Sequence, residues 1–174
     1  MKFSILVASA FAALTIAAPT VAVEKRGIFA TTAYNDLSIS GGVAGNAQAE
    51  ALAVFTKFGL DPNNLGSLTA GDLKFLSDVN GVCNDAEKGV YNAAVSAASG
   101  TAAESLQIGK IKNKVLKLTA TMLRLQAEQA QGTDTSAEQA VEGKKLNNNI
   151  SQDKGKAGIA STKLDFAGTV TAKA

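Results

Sequence analysis

The 174-residue chain contains no histidine and no tryptophan, and it has a single cysteine and two prolines. Without imidazole the chain lacks the usual general base, the commonest zinc ligand and every catalytic triad built on histidine. One cysteine, Cys83, cannot close an internal disulfide. It lies in an apolar-periodic segment, which predicts a buried, inert thiol. Small secreted domains often lean on disulfides, so a disulfide-free chain must be held by burial alone, for which residues 27–174 are long enough. Charge of either sign is scarce at 18% of residues, and aromatics make up 5%.

The N-terminus carries the first positive signal. "MKFSILVASAFAALTIAA" has one basic residue, Lys2, then an apolar run and a small-residue exit. This is the pattern of a secretory signal peptide over residues 1–18, too short for the ~20 apolar residues of a spanning helix. No second such run follows, so no transmembrane segment is expected and the product is extracellular. Lys25 and Arg26 then stand together, the substrate of kexin-type proteases in the secretory pathway. Residues 19–26 read as a short pro-segment, Gly27 as the mature N-terminus and residues 27–174 as one helical domain.

Removing the leader changes the charge. The whole chain has 17 Lys+Arg and 15 Asp+Glu. Loss of Lys2, Lys25, Arg26 and Glu24 leaves 14 of each, which gives no reason to expect a nucleic-acid partner. The distribution is uneven: residues 27–108 hold 3 basic and 8 acidic residues, residues 109–174 hold 11 and 6.

Four segments have helical periodicity, which predicts an all-α fold, an antiparallel bundle of about four helices. The first spans 42–58, with Val43, Ala47, Ala51, Val54, Phe55 and Phe58 inward. The second opens at Thr69, which caps with Asp72 three residues on, and extends to Ala98 through Phe75, Val79, Val82, Ala86, Val90, Ala93 and Ala97. A kink is expected at "NGVCND", beside Gly81. The third starts with "TAAE" (101–104) read as a capping box, and its seam Ile108, Ile111, Val115, Leu118, Met122, Leu125, widened by Leu116 and Leu123, places it centrally. The fourth starts at "TSAE" (135–138), a second capping-box pattern, and reaches Ala157 with a weak stripe, so it belongs on the bundle edge. "AYNDLSIS" and "TKLDFAG" alternate instead and suit short extended segments able to pair and hold the two ends of the mature chain together.

No segment assembles a nucleophile, a carboxylate pair, a metal set or a cofactor fingerprint. "SGGVAGN" (40–46) is glycine-rich before a helix but lacks the spacing of either nucleotide motif, so a flexible helix entry is the better reading and no enzyme is expected. The one concentration of charge is "GKIKNKVLK". Lys110, Lys114 and Lys117, with Arg124 further along, share a face opposite the seam, while Lys112 points elsewhere. A solvated helix face is the plain reading; a surface for an anionic partner, such as an acidic polysaccharide or lipid headgroups, is the functional one. Asn149-Ile150-Ser151 is a formal glycosylation acceptor on a stretch expected to be helical.

"YNDLSISGGVAGNA", "GKIKNKVLKL", "QAQGTD" and "KLNNNI" together resemble a family of small secreted proteins of filamentous fungi. The resemblance covers nearly all of the mature chain. It implies an extracellular candidate effector or cell-surface protein, with no catalytic residues to carry over. Two functions follow as expectations: a secreted, monomeric, non-catalytic interaction protein whose partner is an extracellular protein or an anionic cell-surface component; or, by analogy of fold, a binder of amphiphiles, which an internal apolar cavity would favour.

Overall fold

The computed structural model describes residues 26–173. The signal peptide and pro-segment expected over residues 1–26 lie outside the described residues, save Arg26. The order is β1 (Thr32–Ala33), α1 (Tyr34–Leu37), α2 (Ala47–Thr56), a 3-10 turn (Leu65–Ser67), α3 (Ala70–Ala86), a π turn (Glu87–Tyr91), α4 (Asn92–Ala97), α5 (Gly100–Ala130), α6 (Ser136–Lys154) and β2 (Thr169–Val170). The fold is all-α: α2, the α3–α4 rod, α5 and α6 form the bundle.

Helix α5 is the axis, with α2, α3 and α6 all packed on it. Its seam residues Ile108, Ile111, Val115, Leu116, Leu118, Leu123 and Leu125 are buried, as the periodicity predicts; Met122 is only half-buried. Lys112, Asn113, Thr119 and Thr121 are buried as well, because three neighbours leave a central helix little open surface. Helix α6 buries only Asn149, Ile150 and Asp153 and leaves Val141 53% exposed, which fits an edge helix. The core closes around Phe29, whose ring stacks on Phe75 at 4.5 Å and meets Phe55 and Phe58 edge-on. The segment just after Gly27 is therefore part of the core.

Helix α2 begins five residues later than its periodicity suggests. Gly42 and Gly45 take left-handed backbone (φ 74° and 117°), which favours glycine and keeps residues 40–46 out of the helix. Two long-range side chains hold this loop. Lys112 Nζ donates to the carbonyls of Gly41 and Val43 at 2.7 and 3.1 Å. Asp153 Oδ2 accepts from the Gly45 and Ala47 N–H groups at 3.0 and 2.9 Å, so a residue from the end of α6 caps the start of α2. Val43, expected inward, is 49% exposed.

The Thr69–Asp72 capping box forms as expected. The other two do not. Helix α5 starts after Ser99 with no side-chain cap, and Glu104 pairs instead with Lys156 at 2.7 Å. Thr135 occupies the N-cap position of α6, yet its hydroxyl donates to the Leu125 carbonyl at 2.8 Å and Glu138 turns to Arg124. In both cases a tertiary partner wins over the local cap. The irregularity in the second rod is also displaced. Residues 80–85 stay α-helical, and the ladder widens over Glu87–Tyr91. This turn carries the inward face onto Tyr91, fully buried, and leaves Ala93 and Ala97 exposed.

The two ends do pair, but of the paired residues only Ala33 belongs to the segments expected to extend. β1 and β2 run antiparallel, Thr32 opposite Val170 and Ala33 opposite Thr169, and Val43 bridges Ala160. Tyr34–Leu37 coils into one helical turn instead of extending, burying Tyr34 and Leu37. Residues 155–173 lie over the bundle as a strap. Ser161 N–H donates to the Gly42 carbonyl and Thr162 N–H to the Ser105 carbonyl, Leu164 N–H to the Tyr91 hydroxyl, and the Phe166 ring meets Tyr34 edge-on.

Candidate functional site

Helices α3 and α6 flank α5 and leave between them a trough floored by α5. Its two hollows, of about 790 and 420 Å³, share Asn80 and Glu142. The larger is bounded by Asp78 and Asp85 on α3, Thr121 and Arg124 on α5, and Glu138 and Glu142 on α6, with Phe166 and Gly168 of the strap at its end. The smaller is bounded by Asn84, Lys114, Lys117, Lys145, Asn148 and Asn149.

This geometry relocates the basic face of α5. Lys114, Lys117 and Arg124 lie in the trough, whereas Lys110 does not line it. They do not form an open cationic stripe. Lys114 pairs with Glu87 at 2.9 Å, with Lys117 at 3.8 Å from the same carboxylate and donating to Asn84 Oδ1 at 2.8 Å. Arg124 is held by Glu128 at 2.7 Å and Glu138 at 3.2 Å. Lys110 has no ion pair among the described residues. Of the other named positions, Arg26 is exposed and Lys25 is outside the described residues. Asn149 is 9% exposed, and its Nδ2 donates to the Lys145 carbonyl within α6 at 2.8 Å.

Donors and acceptors alternate along the walls. Asn80 Nδ2 donates to Thr121 Oγ1 and Asn84 Nδ2 to Asn80 Oδ1, an amide chain that keeps both side chains oriented. Asp78 is engaged by Lys74 and Glu142 by Lys145. Asp85 and Asn148 are exposed on the rim with no bonding partner among the described residues. The periodicity of α5 pointed to the floor; the walls were not legible, because which faces of α3 and α6 meet over α5 depends on packing.

Apolar space is small. The hollow bounded by Leu52, Met122, Leu123 and Leu146 measures about 170 Å³, below the ~300–1,000 Å³ usual for ligand pockets. Cys83 is free and buried. Burial pushes its thiol up to about 12, with Lys117 opposing in part, which makes it a poor nucleophile. Among the described residues no group of acidic residues and cysteine is placed to hold a metal, and no helix is long and apolar enough to cross a membrane.

Residues 29–165 match the model of a family described as a domain of unknown function (DUF8454). No curated protein and no solved structure matches the chain. The match spans more than half of the sequence, and the chain belongs to that family.

Proposed function

We propose that this family member is a secreted, non-catalytic interaction protein that binds a glycan of a cell surface in the trough between α3 and α6. The observation that carries the reading is the trough itself, with its mixed lining of amides, carboxylates and ammonium groups around an aromatic end. A sugar hydroxyl both donates and accepts, so it is matched by walls that alternate the two roles. The face of a sugar ring is apolar, and Phe166 offers a surface for it. The leader-like N-terminus and the resemblance to fungal secreted proteins support an extracellular setting. Lys114, Lys117 and Arg124 are paired with carboxylates, which disfavours a purely anionic partner held by open charge. The small apolar hollow disfavours an enclosed acyl chain. A binding role is preferred over hydrolysis because cleaving a glycosidic bond takes two carboxyl groups facing it. Of the carboxylates lining the trough, Asp85 alone has no ion pair among the described residues.

The test is retention on insoluble polysaccharides, run on the wild type and on Asp85→Ala/Asn148→Ala. Both rim residues are exposed and unpartnered, so the variant should keep its helical circular dichroism while losing most of its retention. Retention that is unchanged in the variant, or that appears only on anionic polymers and vanishes with salt, would refute the trough as the site.

A further inference from the structure

Asp72 is 2% exposed, yet among the described residues no cation lies within ion-pair distance of it. Its Oδ2 accepts from the backbone N–H and hydroxyl of Thr69 at 2.9 and 2.8 Å, completing the cap of α3. Its Oδ1 serves the N-terminal segment, accepting from the N–H groups of Ile28 at 2.8 Å and Phe29 at 3.4 Å. Four donors orient a buried carboxylate without supplying the opposite charge, and buried charge is costly unless paired. Gly27 lies against the same oxygen. A Cβ there would come within 2.8 Å of Asp72 Oδ1 and 3.3 Å of Thr69 Oγ1, so a side chain would displace the carboxylate. Standard bond lengths then put the Gly27 nitrogen no more than about 6 Å from Oδ1. The preceding Arg26 is exposed, as a cleavage site has to be.

We infer that Asp72 is the receptor for the α-ammonium group of Gly27 released by cleavage after Arg26. Water adds across the Arg26–Gly27 peptide bond, Arg26 leaves with the new carboxylate, and the Gly27 nitrogen takes up the protons that make it an ammonium. That group supplies the missing counter-charge and needs only a local backbone rotation to reach it. Docking then tightens the segment whose Phe29 ring stacks on Phe75. Processing in this view completes the fold as well as trimming the chain. The inference rests on reading Lys25–Arg26 as a processing site and is independent of the trough.

The full chain made in a host lacking dibasic-specific protease gives the uncut protein, which is then cut in vitro with such a protease. Cutting should raise the melting temperature by roughly 2–8 °C, the shift expected of about 1 kcal/mol, and Asp72→Asn should abolish the rise. The Gly27 amine of the cut protein should be acylated roughly tenfold more slowly than that of a Gly-Ile-Phe peptide, as a charge-assisted bond worth about 1.4 kcal/mol implies. An amine that reacts at the peptide's rate overturns the inference, and this readout decides the matter if Asp72→Asn does not fold. Mass spectrometry of protein from a host that has the protease tests the processing reading separately: a start other than Gly27 refutes that reading, while the cut protein still decides on Asp72.

Discussion

Lys112 carries its ammonium group into the protein, fully buried, where Glu50 lies at 2.7 Å and the Gly41 and Val43 carbonyls take its remaining donors. All three of its protons are used, which is what makes a buried lysine tolerable. Lys112→Ala should therefore destabilise the protein by about 2–4 kcal/mol, because the Gly41 and Val43 carbonyls lose their donor, while Glu50, 36% exposed, can turn to water. Lys114→Ala should cost no more than about 1 kcal/mol, because its pair with Glu87 is half-exposed. Urea denaturation of both variants checks the contrast, and equal losses would contradict it. Cys83 makes a second residue-scale prediction. The folded state keeps the thiol proton up to about 12, against an ordinary value of 9, so above pH 9 the unfolded state binds fewer protons. Stability should be unaffected by this group below pH 9 and fall as pH climbs toward 12. Cys83→Ala should flatten that alkaline limb in denaturation curves. A native thiol that reacts with a disulfide reagent at pH 8 as fast as in urea would contradict the burial.

The elements were legible where the periodicity was long and the partner was simply the core. Helix α5 shows its seam over about five turns, and its central place follows from the width of that seam. Starts and breaks were less legible because they depend on residues far along the chain. The start of α2 is set by Asp153 and Lys112, more than 60 positions away, and Thr135 gives up its cap to reach Leu125. A capping motif predicts a helix start only if no tertiary partner claims its side chains, as Thr69–Asp72 shows by keeping both roles. The pairing of the two chain ends was legible as two alternating segments but not in register, since Tyr34 is drawn inward and donates its hydroxyl to Asn113 Oδ1 at 2.9 Å. The strap also explains Gly109. A Cβ at that point of α5 would lie 2.1 Å from the Thr162 carbonyl oxygen. Gly109→Ala gains helix propensity yet must push the strap away, and it should lower stability by about 1–3 kcal/mol, as overpacking does. Amide exchange should quicken over residues 160–170 in the variant. A stabilised protein with unchanged exchange would show that the strap does not press on α5.

At the scale of the molecule, the acidic first half and basic second half meet where α2 and the α3–α4 rod pack on α5. Glu87 of the first half holds Lys114 of the second, and Glu50 holds Lys112. Part of the charge asymmetry visible in the sequence is therefore spent inside the molecule, and the trough lies beside these contacts. The residues of its floor could be read as one helix face, while its walls needed the packing of α3 and α6. Amide chemical-shift mapping of the ¹⁵N-labelled protein against soluble oligosaccharides of cell-wall polymers tests whether the trough binds glycan. Saturable shifts confined to the trough, on Asn80, Asn84, Asp85, Glu142, Asn148 and Phe166, are expected and should persist in moderate salt. Shifts centred on the outer faces of α2 or α4, or no shifts with any oligosaccharide, would contradict glycan binding in the trough.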